Sequence, residues 1–194
     1  MGNDISTSLR PAIVMTILFA LLLGILYPLA MTGIGQAIFP AQANGSLVRD
    51  GKGAVIGSTV IGQAFTSGRY FQSRPSAAGK GYDGLSSSGS NLGPTSQALV
   101  DRVKGDVAKW QATSPGRPVP PDLVTTSASG LDPDISPEAA FYQVDRVARV
   151  RGLPAAKVKA LVAAHIDGPM LGILGDPHVN LFALNRDLDR MAAH

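Results

Sequence analysis

The chain opens on a long apolar stretch. No charged residue falls between Arg10 and Arg49, and within that gap Pro11 to Ala30 (PAIVMTILFALLLGILYPLA) is almost wholly apolar. A helix rises about 1.5 Å per residue, so twenty residues cover about 30 Å, the thickness of a bilayer's hydrocarbon core. Pro11 suits the first position of a helix and Tyr27 an interfacial one. The pattern predicts a transmembrane helix over residues 11–31, after a short N-terminal segment of residues 1–10. Residues 32–43 then form an interfacial connector, where Gly33, Gly35 and Pro40 weaken a straight continuation. The competing reading is a cleaved signal peptide ending at Ala41-Gln42-Ala43. The apolar run is longer than a signal core, and the small-residue triplet lies too far beyond it.

From Asn44 onward the pattern is that of one folded domain, residues 44–194. Ser58–Phe65 (STVIGQAF), Tyr70-Phe71, Leu123–Thr126 and Val179–Leu184 read as short strands. Ser73–Pro94, rich in Ser, Gly and Pro, reads as a long ordered loop, and Ser114–Pro121 as a stiff connector. Leu99, Val103, Val107 and Trp110 recur at helical spacing after a start at Pro94-Thr95. A second helix starts with Ser136 as N-cap, Pro137 at N1 and Glu138 in the first turn, and stops at Gly152. Its inner face carries Ala140, Phe141, Val144, Val147 and Ala148. A third helix opens at Pro154, turns Val158, Leu161 and Val162 inward, and ends near Gly168-Pro169. Asn185 is placed to cap a last one carrying Leu188 and Met191. Without a regular βαβ rhythm, the fold class is α+β: one membrane helix followed by a compact mixed α/β domain.

Composition narrows the function. The 17 basic and 14 acidic residues leave a net charge of +3, scattered rather than striped, and aromatics are only 6%, which argues against nucleic acid as a partner. There is no Cys, so disulfides, thiol catalysis and Cys-ligated metals are excluded. Arg10 precedes the helix and no Lys or Arg appears from Met31 to Val48, so the positive-inside tendency puts the N-terminus in the cytoplasm and the domain outside.

Catalytic signatures are missing from the sequence. Neither Gly51-Lys52 nor Gly79-Lys80 precedes the Ser or Thr of a phosphate loop, no HExxH occurs, and Gly84–Ser88 lacks the final glycine of a nucleophile elbow. His165 near a helix end reads as a capping cation, His178 lies in a turn, and His194 closes the sequence. Asp132 and Asp134 in GLDPDISP read as turn and cap chemistry. No catalytic residue, cofactor-binding residue or metal ligand can be named from these patterns. Thr16, Ala20 and Gly24, at i, i+4 and i+8, line one side of the apolar helix with small side chains, a face that lets a neighbouring helix approach closely.

Several stretches together resemble one family. They are LRPAIV (9–14), YPL (27–29), FPAQANGSL (39–47), IGQAF (61–65), YFQSRPSA (70–77), SGSNLGP (88–94), DLVTTSASGLDPDISPEAA (122–140) and LGDPHVNLFALN (174–185). In order and spacing the chain is similar to the C subunit of the Kdp-type bacterial potassium-transporting ATPase. The resemblance implies a non-catalytic accessory subunit of an ATP-driven potassium pump in the bacterial inner membrane. It implies as partners a channel-like potassium-binding subunit, a P-type ATPase subunit and a small membrane peptide. It further implies a role in assembly, and in raising the ATPase subunit's affinity for ATP as a catalytic chaperone. With the domain outside and ATP inside, that effect is expected to be allosteric, a coupling of ~1–3 kcal/mol. The alternatives are a membrane-anchored exported hydrolase, or a binding module using Arg74, Lys80, Tyr82 and Asp83.

Overall fold

The computed structural model describes residues 2–192, so His194 lies outside the described residues. The chain divides into two units at Leu47–Val48. In the first, α1 (Gly2–Leu21) runs through a π-helical turn, Leu22–Leu26, into α2 (Tyr27–Ile38). Pro28 explains the turn. It has no N–H for the Gly24 carbonyl four residues earlier, and its ring crowds that carbonyl. The helix relieves this by winding wider, with the Tyr27 N–H donating to the Leu22 carbonyl. Gly33 and Gly35, read from the sequence as weakening a straight continuation, lie within α2. The last break comes at Phe39, whose backbone (φ −129°, ψ 59°) leaves the helical region, as the residue before a proline is pushed to do. The short α3 (Pro40–Ala43) follows. Among the described residues one helix, Thr7–Ile38, is long and apolar enough to cross a membrane.

The second unit mixes helices with small sheets. β1 (Leu47–Arg49) pairs with β2 (Val55–Ser58). α4 (Gln97–Thr113) turns Leu99, Val103, Val107 and the buried Trp110 to one side, as its periodicity predicts. β3 (Asp134–Ile135) leads into α5 (Pro137–Arg151), where the Ser136 side chain accepts from the Ala139 N–H and Gly152 closes the helix in the left-handed region (φ 66°). Both caps stand where the sequence puts them. α6 (Ala155–Ala164), β4 (Ile166–Asp167), β5 (His178–Asn180) and α7 (Leu181–Ala192) complete the unit. β5 is central in an antiparallel sheet of order β3-β5-β4, pairing Ile135 and Ile166 with Val179.

Phe71, Leu123, Ile135, Tyr142, Val147, Val158, Val162, Val179, Leu184 and Leu188 share one core with Trp110. Trp110 and Tyr142 meet edge to face at 6.2 Å between centroids, a favoured arrangement. The Trp110 indole N–H donates to the Leu123 carbonyl (3.0 Å).

Several sequence expectations are corrected. Ser58–Phe65 is not a strand, since β2 ends at Ser58. Leu123–Thr126 is not one either: Pro121–Leu123 is a 3₁₀ turn. Val179–Leu184 is a strand only to Asn180, because the apolar residues that follow, Leu181, Leu184 and Leu188, have helical spacing and are buried on one face of α7. Asn185 therefore sits inside that helix, and the cap is Asn180, whose Oδ1 accepts from the Ala183 N–H (3.1 Å).

Candidate functional site

Thr16 and Ala20 lie in α1 and Gly24 in the π turn, all exposed. A Cβ added at Gly24 would meet nothing within 4 Å. The i→i+5 bonding of the turn holds more residues per revolution than an α-helix. Gly24 thus departs from ideal α-helical spacing, at a point where the backbone carbonyl has also lost the donor at Pro28.

In the domain, the stretches quoted above for their resemblance are brought together. Tyr70-Phe71 is not the strand its sequence suggests, because the partners of this segment are side chains. Asn185 reads both backbone groups of Phe71, with its Oδ1 accepting from the N–H and its Nδ2 donating to the carbonyl, each at 2.9 Å. Gln143 does the same for Gln72, at 2.7 and 2.9 Å. Arg146 donates to the carbonyls of Gly68 (2.6 Å) and Tyr70 (3.1 Å) and to Gln143 Oε1 (2.6 Å), and Arg151 donates to the Arg69 carbonyl (2.7 Å). A buried backbone must place its polar groups somewhere. Here helices α5 and α7 supply amides and guanidinium groups instead of a neighbouring strand. Burial, and then the nearby Arg149, push the Arg146 guanidinium down to about 10, so it stays cationic at neutral pH, 5.8 Å from the Trp110 ring centroid.

Beyond this clamp, Arg74 bridges to Asp132 (2.9 Å) and donates to the Thr125 carbonyl. Ser76 Oγ donates to the Gly130 carbonyl (2.6 Å) and the Ser88 N–H to the Ser129 carbonyl (3.0 Å). The Tyr82 hydroxyl bonds Ser73 Oγ and the Arg74 carbonyl, and burial raises its pKa. Arg74, Lys80 and Tyr82 line an open groove of about 340 Å³ together with Lys109 and Trp110. Asp83 is not among its lining residues and accepts instead from the Leu85 N–H.

The expected turn chemistry of the acids is present. Asp132 Oδ1 accepts from the Asp134 N–H (3.0 Å), and Asp134 accepts from Asn180 (3.0 Å). Burial raises the Asp134 pKa, against the lowering effect of the Asn180 bond. His165 follows α6, with Nδ1 against the Leu161 carbonyl (2.9 Å) and Nε2 against Asp187 (3.1 Å). That is the helix-end role its position suggests. His178 sits near Asp176, with Nδ1 3.0 Å from its carbonyl.

Sequence reasoning missed two features. One is the side-chain clamp, signalled only by polar residues (Gln143, Arg146, Asn185) on otherwise apolar helix faces. The other is an apolar tip, Met170–Leu174, whose signal was an unbroken MLGIL between glycine-containing turns.

The described chain thus joins one apolar helix, long enough to span a membrane, to an α+β domain held together by side-chain amides. Comparison with known proteins specifies it further. Residues 9–190 match the family KdpC, described as K+-transporting ATPase, c chain. A relative from Caulobacter vibrioides, named Potassium-transporting ATPase KdpC subunit, is 56% identical over 181 residues, covering 93% of this chain and 92% of its own. One of the same name from Bradyrhizobium diazoefficiens is 54% identical over 198 residues, covering 95% and 98%. The chain belongs to the KdpC family of potassium-transporting ATPase subunits.

Proposed function

We propose that the chain is a non-catalytic accessory subunit of an ATP-driven potassium pump, anchored in the bacterial inner membrane by one helix. In this reading residues 1–10 are cytoplasmic, residues 11–31 cross the bilayer, residues 32–43 lie at the interface and the domain of residues 44–194 is extracytoplasmic. Its partners are the channel-like subunit that binds potassium, the P-type ATPase subunit and the small membrane peptide. It holds the assembly together and raises the ATPase subunit's affinity for ATP across the membrane, without touching the nucleotide. Such an effect works through subunit contacts that differ between two states of the pump.

The observation that carries the reading is the apolar helix Thr7–Ile38, long enough to cross a membrane, in a member of a transport-ATPase family. Thr16, Ala20 and Gly24 are the face it presents to a partner helix. Gly24→Leu places a branched side chain where the backbones meet, and is expected to cut recovery of the other subunits with the tagged chain several-fold in mild detergent. Undiminished recovery refutes that face. The ATP effect is checked by measuring the pump's KM for ATP with and without this chain. An unchanged KM in an intact assembly refutes the chaperone role.

A further inference from the structure

The hairpin between β4 and β5 ends in an apolar tip left exposed among the described residues. Leu171 and Ile173 are 84% and 81% exposed, and Met170 and Leu174 66% and 52%. Four adjacent large apolar side chains held in water form a patch that monomeric surfaces rarely tolerate. The tip is also built. The Met170 N–H donates to the Leu174 carbonyl (2.9 Å) and the Leu174 N–H returns the bond to Met170 (3.0 Å). Between them Leu171 has a φ of +56°, a left-handed conformation a leucine adopts only when its surroundings impose it. The stem of the hairpin enters the core sheet through the fully buried Val179. The tip is therefore presented on a rigid base, which lowers the ordering cost of docking.

Its charge says what it docks on. From Ile166 to Asn185 the chain has no Lys or Arg, and the residues flanking the tip are the exposed Asp167 and Asp176. Segments that enter a lipid surface carry basic residues and interfacial Trp or Tyr, and anionic headgroups repel aspartate. The tip has none of the first and two of the last. We propose that Met170–Leu174 is a docking knob that inserts into an apolar pocket with a basic rim on another subunit of the same ATPase. The proposal rests on the accessory-subunit reading above.

The chain's lack of Cys makes the test direct. In membranes containing the whole assembly, Ile173→Cys is labelled with a benzophenone maleimide and irradiated. Leu85→Cys, at a fully exposed position, serves as control. The expected result is a cross-link from position 173 to an identified subunit of the ATPase, with none from position 85. A water-soluble bulky maleimide should also react roughly tenfold more slowly at 173 than at 85 when the assembly is intact, as at a water-excluded interface. Cross-links to lipid alone, or to a second copy of this chain, overturn the proposal, and so does equal reactivity at the two positions. The double variant Leu171→Asn, Ile173→Ser changes only exposed side chains, and Asn tolerates the left-handed backbone. It should leave Trp110 fluorescence unchanged and weaken retention of the other subunits about 10- to 100-fold, as loss of a hot spot does. Unchanged retention overturns the knob while leaving the accessory-subunit reading intact. If the unaltered chain recovers no ATPase subunit at all, that reading fails first and the knob falls with it.

Discussion

Replacing Asn185 by Leu tests the clamp that organises the domain. The two side chains are close in size, so the substitution opens little cavity and isolates the hydrogen bonds. Asn185 and Phe71 are both buried, and the change leaves the Phe71 N–H and carbonyl without their 2.9 Å partners. An unsatisfied buried polar group costs about 1–3 kcal/mol, so the two together cost about 2–6. Leucine recovers part of this, because a buried amide gives way to an apolar side chain. A net loss of about 3 kcal/mol follows. With an m-value of about 2 kcal/mol/M in urea, the unfolding midpoint should fall by about 1.5 M. The assay is urea titration of the purified full chain in detergent, followed by fluorescence of Trp110, the only Trp. A shift below about 0.3 M would show that Phe71 finds other partners, and would refute the claim that Asn185 replaces a neighbouring strand.

The same titration checks three further substitutions. Gly130→Ala would set a Cβ 2.6 Å from the Ser88 carbonyl oxygen and 2.7 Å from the Ala78 nitrogen, at a φ of +66°. Strain and overpacking should together cost about 2–4 kcal/mol. Ser136→Ala removes the side chain that caps α5 and should cost about 1 kcal/mol. Asp134→Asn acts through pH. Burial raises the folded-state pKa above the ordinary 3.8, so the native state holds this proton more tightly than the unfolded chain, and stability falls as pH rises through the raised value. The variant should exceed the parent above that value and converge with it below pH 3.8; a constant difference across the titration counts against the mechanism.

Elements whose bonding is local were legible in the sequence. The apolar helix is hydrophobicity and length, and α5 is bounded by Ser136, Pro137 and Gly152, which act within a single turn. Elements defined by distant partners were not. Tyr70-Phe71 has strand composition, but its hydrogen bonds go to side chains on two helices, and no local pattern announces that. VNLFALN reads as a strand followed by a cap, because Val179 and Phe182 favour β structure while the spacing of Leu181, Leu184 and Leu188 favours a helix. Packing on the core resolved the conflict at Asn180. The spacing of the small residues Thr16, Ala20 and Gly24 along the apolar helix was legible. The effect of Pro28 on it was not, since a proline's cost depends on how the turn before it rewinds.

The clamp also sets a schedule for making the protein. Phe71 waits for a side chain 114 positions downstream, and Gln72 for one 71 positions downstream. A chain emerging from the ribosome or from a translocation pore exposes its amino end first, so Gln72 gains its partner once α5 has emerged and Phe71 only once α7 has followed. A product truncated before Leu181 keeps both residues and loses the latch, leaving Phe71 open to proteases. Burial of Phe71 is thus coupled to synthesis of α7.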